Sequence, residues 1–100
     1  MRERGRIVIA EDHTILREGL RVLLSSHPDL EVVGEAADGR DAIQCVEELA
    51  PDLVLLDLSM PRMDGITLLK KIKRIDPSIE VVMMTAYDMD YSYVDVIEAG

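Results

Sequence analysis

The chain has 100 residues, a formal net charge of −9 and 48% hydrophobic residues, yet no Phe and no Trp. This length suits one domain whose core is built from Val, Ile, Leu, Met and Ala. The acidic balance argues against gripping a phosphate backbone, no apolar run approaches membrane-spanning length, and the opening Met-Arg-Glu-Arg-Gly-Arg lacks the apolar segment of a secretion signal.

In chain order, Ile7–Ala10 is a short apolar run that ends in the acid pair Glu11-Asp12. From Thr14 the spacing of Leu16, Leu20, Leu23 and Leu24 predicts a helix with one buried stripe, closed by Pro28-Asp29. Leu30–Ala36 mixes alternation with a Val pair and predicts a strand with a partly wet face, suited to a sheet edge. Asp38-Gly39 marks a turn and an N-cap. Ala42, Ile43, Val46, Leu49 and Ala50 then give a second helical stripe, stopped by Pro51. Cys45 lies on this helix. As the single cysteine it excludes an internal disulfide, fits a reducing cytoplasm and reads as a half-buried thiol.

Leu53–Leu56 is an apolar run bounded by turn-formers, the pattern of a strand buried on both faces, and it ends abruptly in Asp57. A third helix is expected from about Gly65, with Ile66, Leu69 and Ile72 inside. Its Lys70, Lys71, Lys73 and Arg74 complement the carboxyl-end dipole on a solvated face. Asp76-Pro77 breaks it. Ile79–Met84 predicts a fourth strand, ending in Thr85-Ala86, and Tyr93, Val94, Val96 and Ile97 suggest a fourth helix ending at Ala99-Gly100.

Strands alternating with helices imply a parallel, doubly wound α/β sheet with right-handed crossovers. Strands one, three and four are the most continuously apolar and should be central, with strand two flanking strand one, which gives the order 2-1-3-4. The crevice where the winding reverses, between strands one and three, is the expected binding site. Glu11-Asp12, Asp57 and Thr85 converge there. Two carboxylates about 5 Å apart repel by roughly 3 kcal/mol at an effective dielectric of about 20. Such a group either raises a pKa or binds a cation. Oxygen donors favour a hard ion, Mg²⁺, with Mn²⁺ or Ca²⁺ as alternatives. Asp57 could then act as a nucleophile toward phosphorus, with the Thr85 hydroxyl donating to a phosphoryl oxygen. His13 could be argued as a metal ligand or phosphate carrier, but an exposed residue at the start of the first helix is the preferred reading. His27 carries no signal.

The acid pair Glu11-Asp12, the segment Leu-Asp-Leu-Ser-Met-Pro-Arg-Met-Asp-Gly around Asp57, and Thr85-Ala86 occur in the order of a known family. Over essentially its whole length the chain resembles the receiver domain of two-component response regulators. The stretch from Glu11 to Leu24 looks most like the subgroup whose receivers precede a helix-turn-helix DNA-binding domain. The resemblance implies a flavodoxin-like (CheY-like) fold in the cytoplasm, in which Asp57 accepts a phosphoryl group from a sensor histidine kinase. Asp12, Asp57 and the Ser59 carbonyl would hold Mg²⁺, with Glu11 acting through a bound water. Thr85 would be the switch hydroxyl, Ala86 would leave the phosphoryl group room, and Pro61 and Gly65 would shape the loop after Asp57.

In the family, the Ala-Gly reached at Ala99-Gly100 is followed by a fifth strand, a lysine at its end and a fifth helix. The expectation is therefore a truncated receiver over residues 1–100 with its output domain absent, binding neither nucleic acid nor membrane itself. Strand Ile79–Met84 would become an edge, and copies would associate through the surface so exposed. Two alternatives stand beside the phosphoacceptor: a fragment that only self-associates, since the lysine is absent, and an aspartate-dependent phosphatase or phosphotransferase. The latter usually carries a second acid two residues after the nucleophile, where this chain has Ser59.

Overall fold

The computed structural model describes residues 5–57 and 65–84. They form β1 (Gly5–Ala10), α1 (Thr14–Ser25), β2 (Leu30–Ala36), α2 (Gly39–Leu49), β3 (Leu53–Asp57), α3 (Gly65–Ile75) and β4 (Glu80–Met84). All strand pairs are parallel, and the sheet order is β2-β1-β3-β4, as the apolar ranking of the strands predicts. Thr85-Ala86, the Tyr93–Ile97 helix and the Ser59 and Pro61 loop lie outside the described residues.

Central strands β1 and β3 are continuous apolar runs because helices approach both sides of the sheet. Val8, Ala10, Val54 and Leu56 join Ala36, Val81 and Met83 in one core that Ala42 and Val46 of α2 and Leu68, Leu69 and Ile72 of α3 cover. Ile7 and Ile9, of the opposite parity on β1, are also buried but lie outside that core. Right-handed crossovers place α1 over their face, against β1 and β2. At the edge, β2 is only partly buried and slips register against β1 between Ile7 and Val8.

Local chemistry sets the boundaries. Asp38 is the N-cap of α2, its carboxylate accepting from the Asp41 N–H at 2.8 Å. Ala50 ends that helix in the left-handed conformation, at φ 46°. It is therefore exposed and outside the helix, and does not extend the buried stripe expected of it. The carbonyls of Leu49 and Ala50 accept from the Arg6 guanidinium at 2.7 and 3.1 Å. Asp52 bonds the backbone of Arg6 through its own N–H and its carboxylate, both at 2.8 Å, which locks β3 beside β1.

Three expected details change. Ile79 is buried but lies in the turn before β4, its N–H donating to the Asp76 carbonyl at 3.2 Å. In α3 it is Leu68, with Leu69 and Ile72, that is fully inside, whereas Ile66 is half-buried. The largest correction concerns α1. None of its residues is buried, and of the stripe Leu16, Leu20, Leu23 and Leu24, Leu16 and Leu23 are exposed. Helix α1 lies over two strands only, so the half of its stripe turned away from them has no cover among the described residues.

Candidate phosphoacceptor and metal site

Ala10 pairs with Leu56, so the residues that follow each strand's last apolar position emerge side by side at one edge of the sheet. These are Glu11 and Asp57. Glu11 is completely buried and Asp57 is 1% exposed. The Glu11 N–H donates to the Ala36 carbonyl at 2.9 Å, which continues the β1–β2 ladder and fixes the turn that aims its carboxylate inward. Asp12 is next in the chain, and His13 is the N-cap residue of α1.

Ligand atoms of Glu11, Asp12, His13 and Asp57 all lie within 4.8 Å of one another. The topology thus brings together the acid pair and Asp57, as expected from the sheet order. Thr85, Ala86, Ser59 and Pro61, also expected here, lie outside the described residues. Gly65 is buried as the first residue of α3.

Glu11 Oε2 accepts from the His13 N–H at 3.0 Å and lies 3.0 Å from His13 Nδ1. Its other oxygen, Oε1, is buried without a hydrogen-bond partner among the described residues, and so is Asp12 Oδ1. Asp12 Oδ1 is 3.1 Å from His13 Nδ1, a close electrostatic contact without hydrogen-bond alignment. Burial pushes the Glu11 carboxyl above its ordinary range, and the neighbouring Asp57 carboxyl adds to this, against the lowering effect of the His13 N–H. His13 is raised in turn by its bond to Glu11 and by the charge of Asp12. Orphaned buried carboxylate oxygens are costly in a protein interior. A hard divalent cation with oxygen ligands relieves that cost, so this donor set fits Mg²⁺.

Two site residues carry more than the sequence suggested. His13 is exposed, as expected, but its ring nitrogen belongs to the cluster. Arg17 was not anticipated. One helical turn after His13, its guanidinium donates to the Glu11 carbonyl at 2.7 Å, and its Nε lies 3.4 Å from Glu35 Oε1. It ties the end of β1 to α1 and β2. The available signal was a charged residue placed one turn beyond the N-cap and next to the apolar stripe.

Comparison with known proteins settles the family. Residues 7–100 match the response regulator receiver domain. The chain belongs to the receiver family. It is 45% identical over 95 residues to the transcriptional regulatory protein YhcZ of Bacillus subtilis, covering 95% of this chain and 44% of that protein. Among solved structures it resembles a LuxR-family response regulator from Aurantimonas sp., with a TM-score of 0.86, 34% identity, and coverage of 97% of this chain and 69% of that one. It also resembles RcsB of Salmonella enterica serovar Typhimurium, bound to promoter rprA in the presence of the phosphomimetic BeF3-. There the TM-score is 0.81 at 32% identity, covering 96% of this receiver and 80% of that chain. The receiver spans 44 to 46% of the length of the curated relatives it matches. Its family role is regulatory, in two-component signalling. No helix among its described residues is long and apolar enough to cross a membrane.

Proposed function

We propose that Asp57 is the phosphoacceptor of a cytoplasmic signalling domain, taking its phosphoryl group from a sensor histidine kinase. The observation that carries this is the burial of Asp57 beside Glu11 and Asp12 at the carboxyl edge of the central strands, with Glu11 Oε1 and Asp12 Oδ1 lacking hydrogen-bond partners among the described residues. Asp12, Asp57 and the Ser59 carbonyl would hold Mg²⁺, and Glu11 would act through a water. When bound, the ion neutralises the carboxylates and orients phosphoryl oxygens.

An Asp57 carboxylate oxygen attacks phosphorus as the bond to the phosphohistidine nitrogen breaks; the new acyl phosphate stays on Asp57 and the imidazole leaves. The Thr85 hydroxyl donates to a phosphoryl oxygen, Ala86 leaves the space it needs, and Pro61 and Gly65 shape the loop between. This change in Thr85 would be relayed to a DNA-binding output of the parent protein, in keeping with a relative solved on promoter DNA.

Incubation with Mg²⁺ and acetyl phosphate, followed by intact mass measurement, tests this. The expected result is one base-labile phosphoryl adduct, absent in Asp57→Asn; an adduct that persists in that variant overturns it. Added Mg²⁺ should also raise the melting temperature.

A second reading, self-association, is favoured by the exposed apolar side chains of α1 and by β4, which is the outer strand of the described sheet. Light scattering that shows a monomer at high concentration counts against it.

A further inference from the structure

One donor of the acidic cluster has no part in phosphoryl transfer: His13 Nδ1. It lies 3.0 Å from Glu11 Oε2 and 3.1 Å from Asp12 Oδ1. With the carboxylates of Glu11, Asp12 and Asp57 it offers a fourth ligand atom, all four within 4.8 Å of one another and so within reach of one ion. Its ring is 62% exposed and therefore not committed to packing, while its backbone N–H, bonded to Glu11 Oε2, fixes the residue over the site. Independently, the fully buried Glu11 has an oxygen, Oε1, without a hydrogen-bond partner among the described residues, and its carboxylate belongs to the same cluster.

Resting on the cation site argued above, we propose that His13 makes the site selective for borderline transition-metal ions such as Co²⁺, Ni²⁺ and Zn²⁺, which compete with Mg²⁺ at Asp57. Imidazole nitrogen adds little for Mg²⁺, which prefers oxygen, and much for the later first-row ions. A three-carboxylate set alone would discriminate less.

The test is direct titration of the chain with Co²⁺, followed by its visible absorption, and with Mg²⁺, followed by calorimetry. His13→Ala is compared with wild type and with His27→Ala, since His27 is the other histidine of the chain. Expected is a loss of roughly tenfold or more in Co²⁺ affinity for His13→Ala only. Mg²⁺ affinity should stay within about twofold. Unchanged Co²⁺ affinity, or equal losses for both ions, overturns the role of His13 while leaving the Mg²⁺ site standing. Failure of wild type to bind either ion overturns the cation site itself.

Discussion

The two faces of the sheet are finished differently. On one, α2 and α3 close over β1, β3 and β4 and leave Val8, Val54, Leu56, Leu68, Ile72 and Ile79 with at most 1% exposure. On the other, only α1 is present among the described residues. There Ile15, Val22 and Leu23 are 87, 61 and 66% exposed, and Leu53, Leu55, Val82 and Met84 are half-buried. All three helices are amphipathic, so pattern alone does not distinguish them. The difference lies in how many strands and helices each one meets. A helix bedded in a groove between a sheet and a second helix fully buries the centre of its stripe, Ala42 and Val46 in α2 and Leu68, Leu69 and Ile72 in α3, whereas α1, laid over two strands, fully buries none of its residues. The site sits at the end of the sheet where β1 and β3 supply Glu11 and Asp57, and His13 and Arg17 at the start of α1 bond to Glu11 there.

The sharpest contrast should come from emptying the closed face. Ile72 is fully buried between α3 and the sheet, so Ile72→Ala removes apolar contact and leaves a cavity that rigid neighbours cannot fill. The expected loss is about 2–5 kcal/mol in urea unfolding. A loss under about 1 kcal/mol would mean that this face can collapse and is not the close-packed one.

A smaller effect should follow from overfilling the same face. A Cβ on Gly34 would meet Leu49 Cδ1 at 2.6 Å, with Cys45 Sγ and Val8 Cγ2 at 3.5 and 3.6 Å. Gly34→Ala therefore forces the Leu49 side chain to move and should cost about 1 kcal/mol. The tight contact is with a side-chain end, so Leu49→Val in the same chain should recover part of the loss. Two independent, additive losses would show that the contact is not the cause.

At the edge between the faces, pH should act through the carboxylates. Folding raises Glu11 above its ordinary value of 4.5, so over that window the native carboxyl keeps a proton that the unfolded chain has lost, and rising pH destabilises. His13, raised above 6.5, acts with the same sign: its stabilisation is present below that value and is lost as pH rises through the folded one. Asp76, lowered from 3.8 by its bonds to Ser78, contributes stability above that value and is constant over this window. Metal-free protein should therefore lose stability as pH rises above the ordinary Glu and His values of 4.5 and 6.5. Saturating Mg²⁺, which takes the ionised carboxylates, should flatten or reverse the trend. Urea unfolding in chelator and in Mg²⁺ measures both, and a metal-free stability that rises over this range breaks the account.

Sequence carried the topology because β1 and β3 are unbroken apolar runs, and only a strand covered on both sides tolerates that. It carried the convergence of Glu11, Asp12 and Asp57 because parallel pairing fixes which strand ends are neighbours. It did not carry the burial of α1. Leu16, Leu20, Leu23 and Leu24 have the same spacing as a buried stripe, and spacing says which side chains share a face but not what lies opposite. Nor did it carry Arg17 or the ring nitrogen of His13. Both act through contacts with Glu11, which depend on how the turn from β1 to α1 sets the side chains.

The smallest stability effect is expected on the open face, where it is also the most informative. Val22 and Leu23 contribute little to the core as the chain stands, so Leu23→Ala and Val22→Lys should each change unfolding stability by less than about 0.5 kcal/mol at low concentration. If copies associate through this face, the same apolar side chains become buried between them. Stability should then rise with protein concentration in wild type and lose that dependence in Val22→Lys, with a matching fall in mass by light scattering. A concentration dependence that survives Val22→Lys would move the association elsewhere, with the outer edge of β4 the next place to test. A large cost of Val22→Lys in dilute monomer would instead show that α1 is covered in solution, and the contrast between the two faces would disappear.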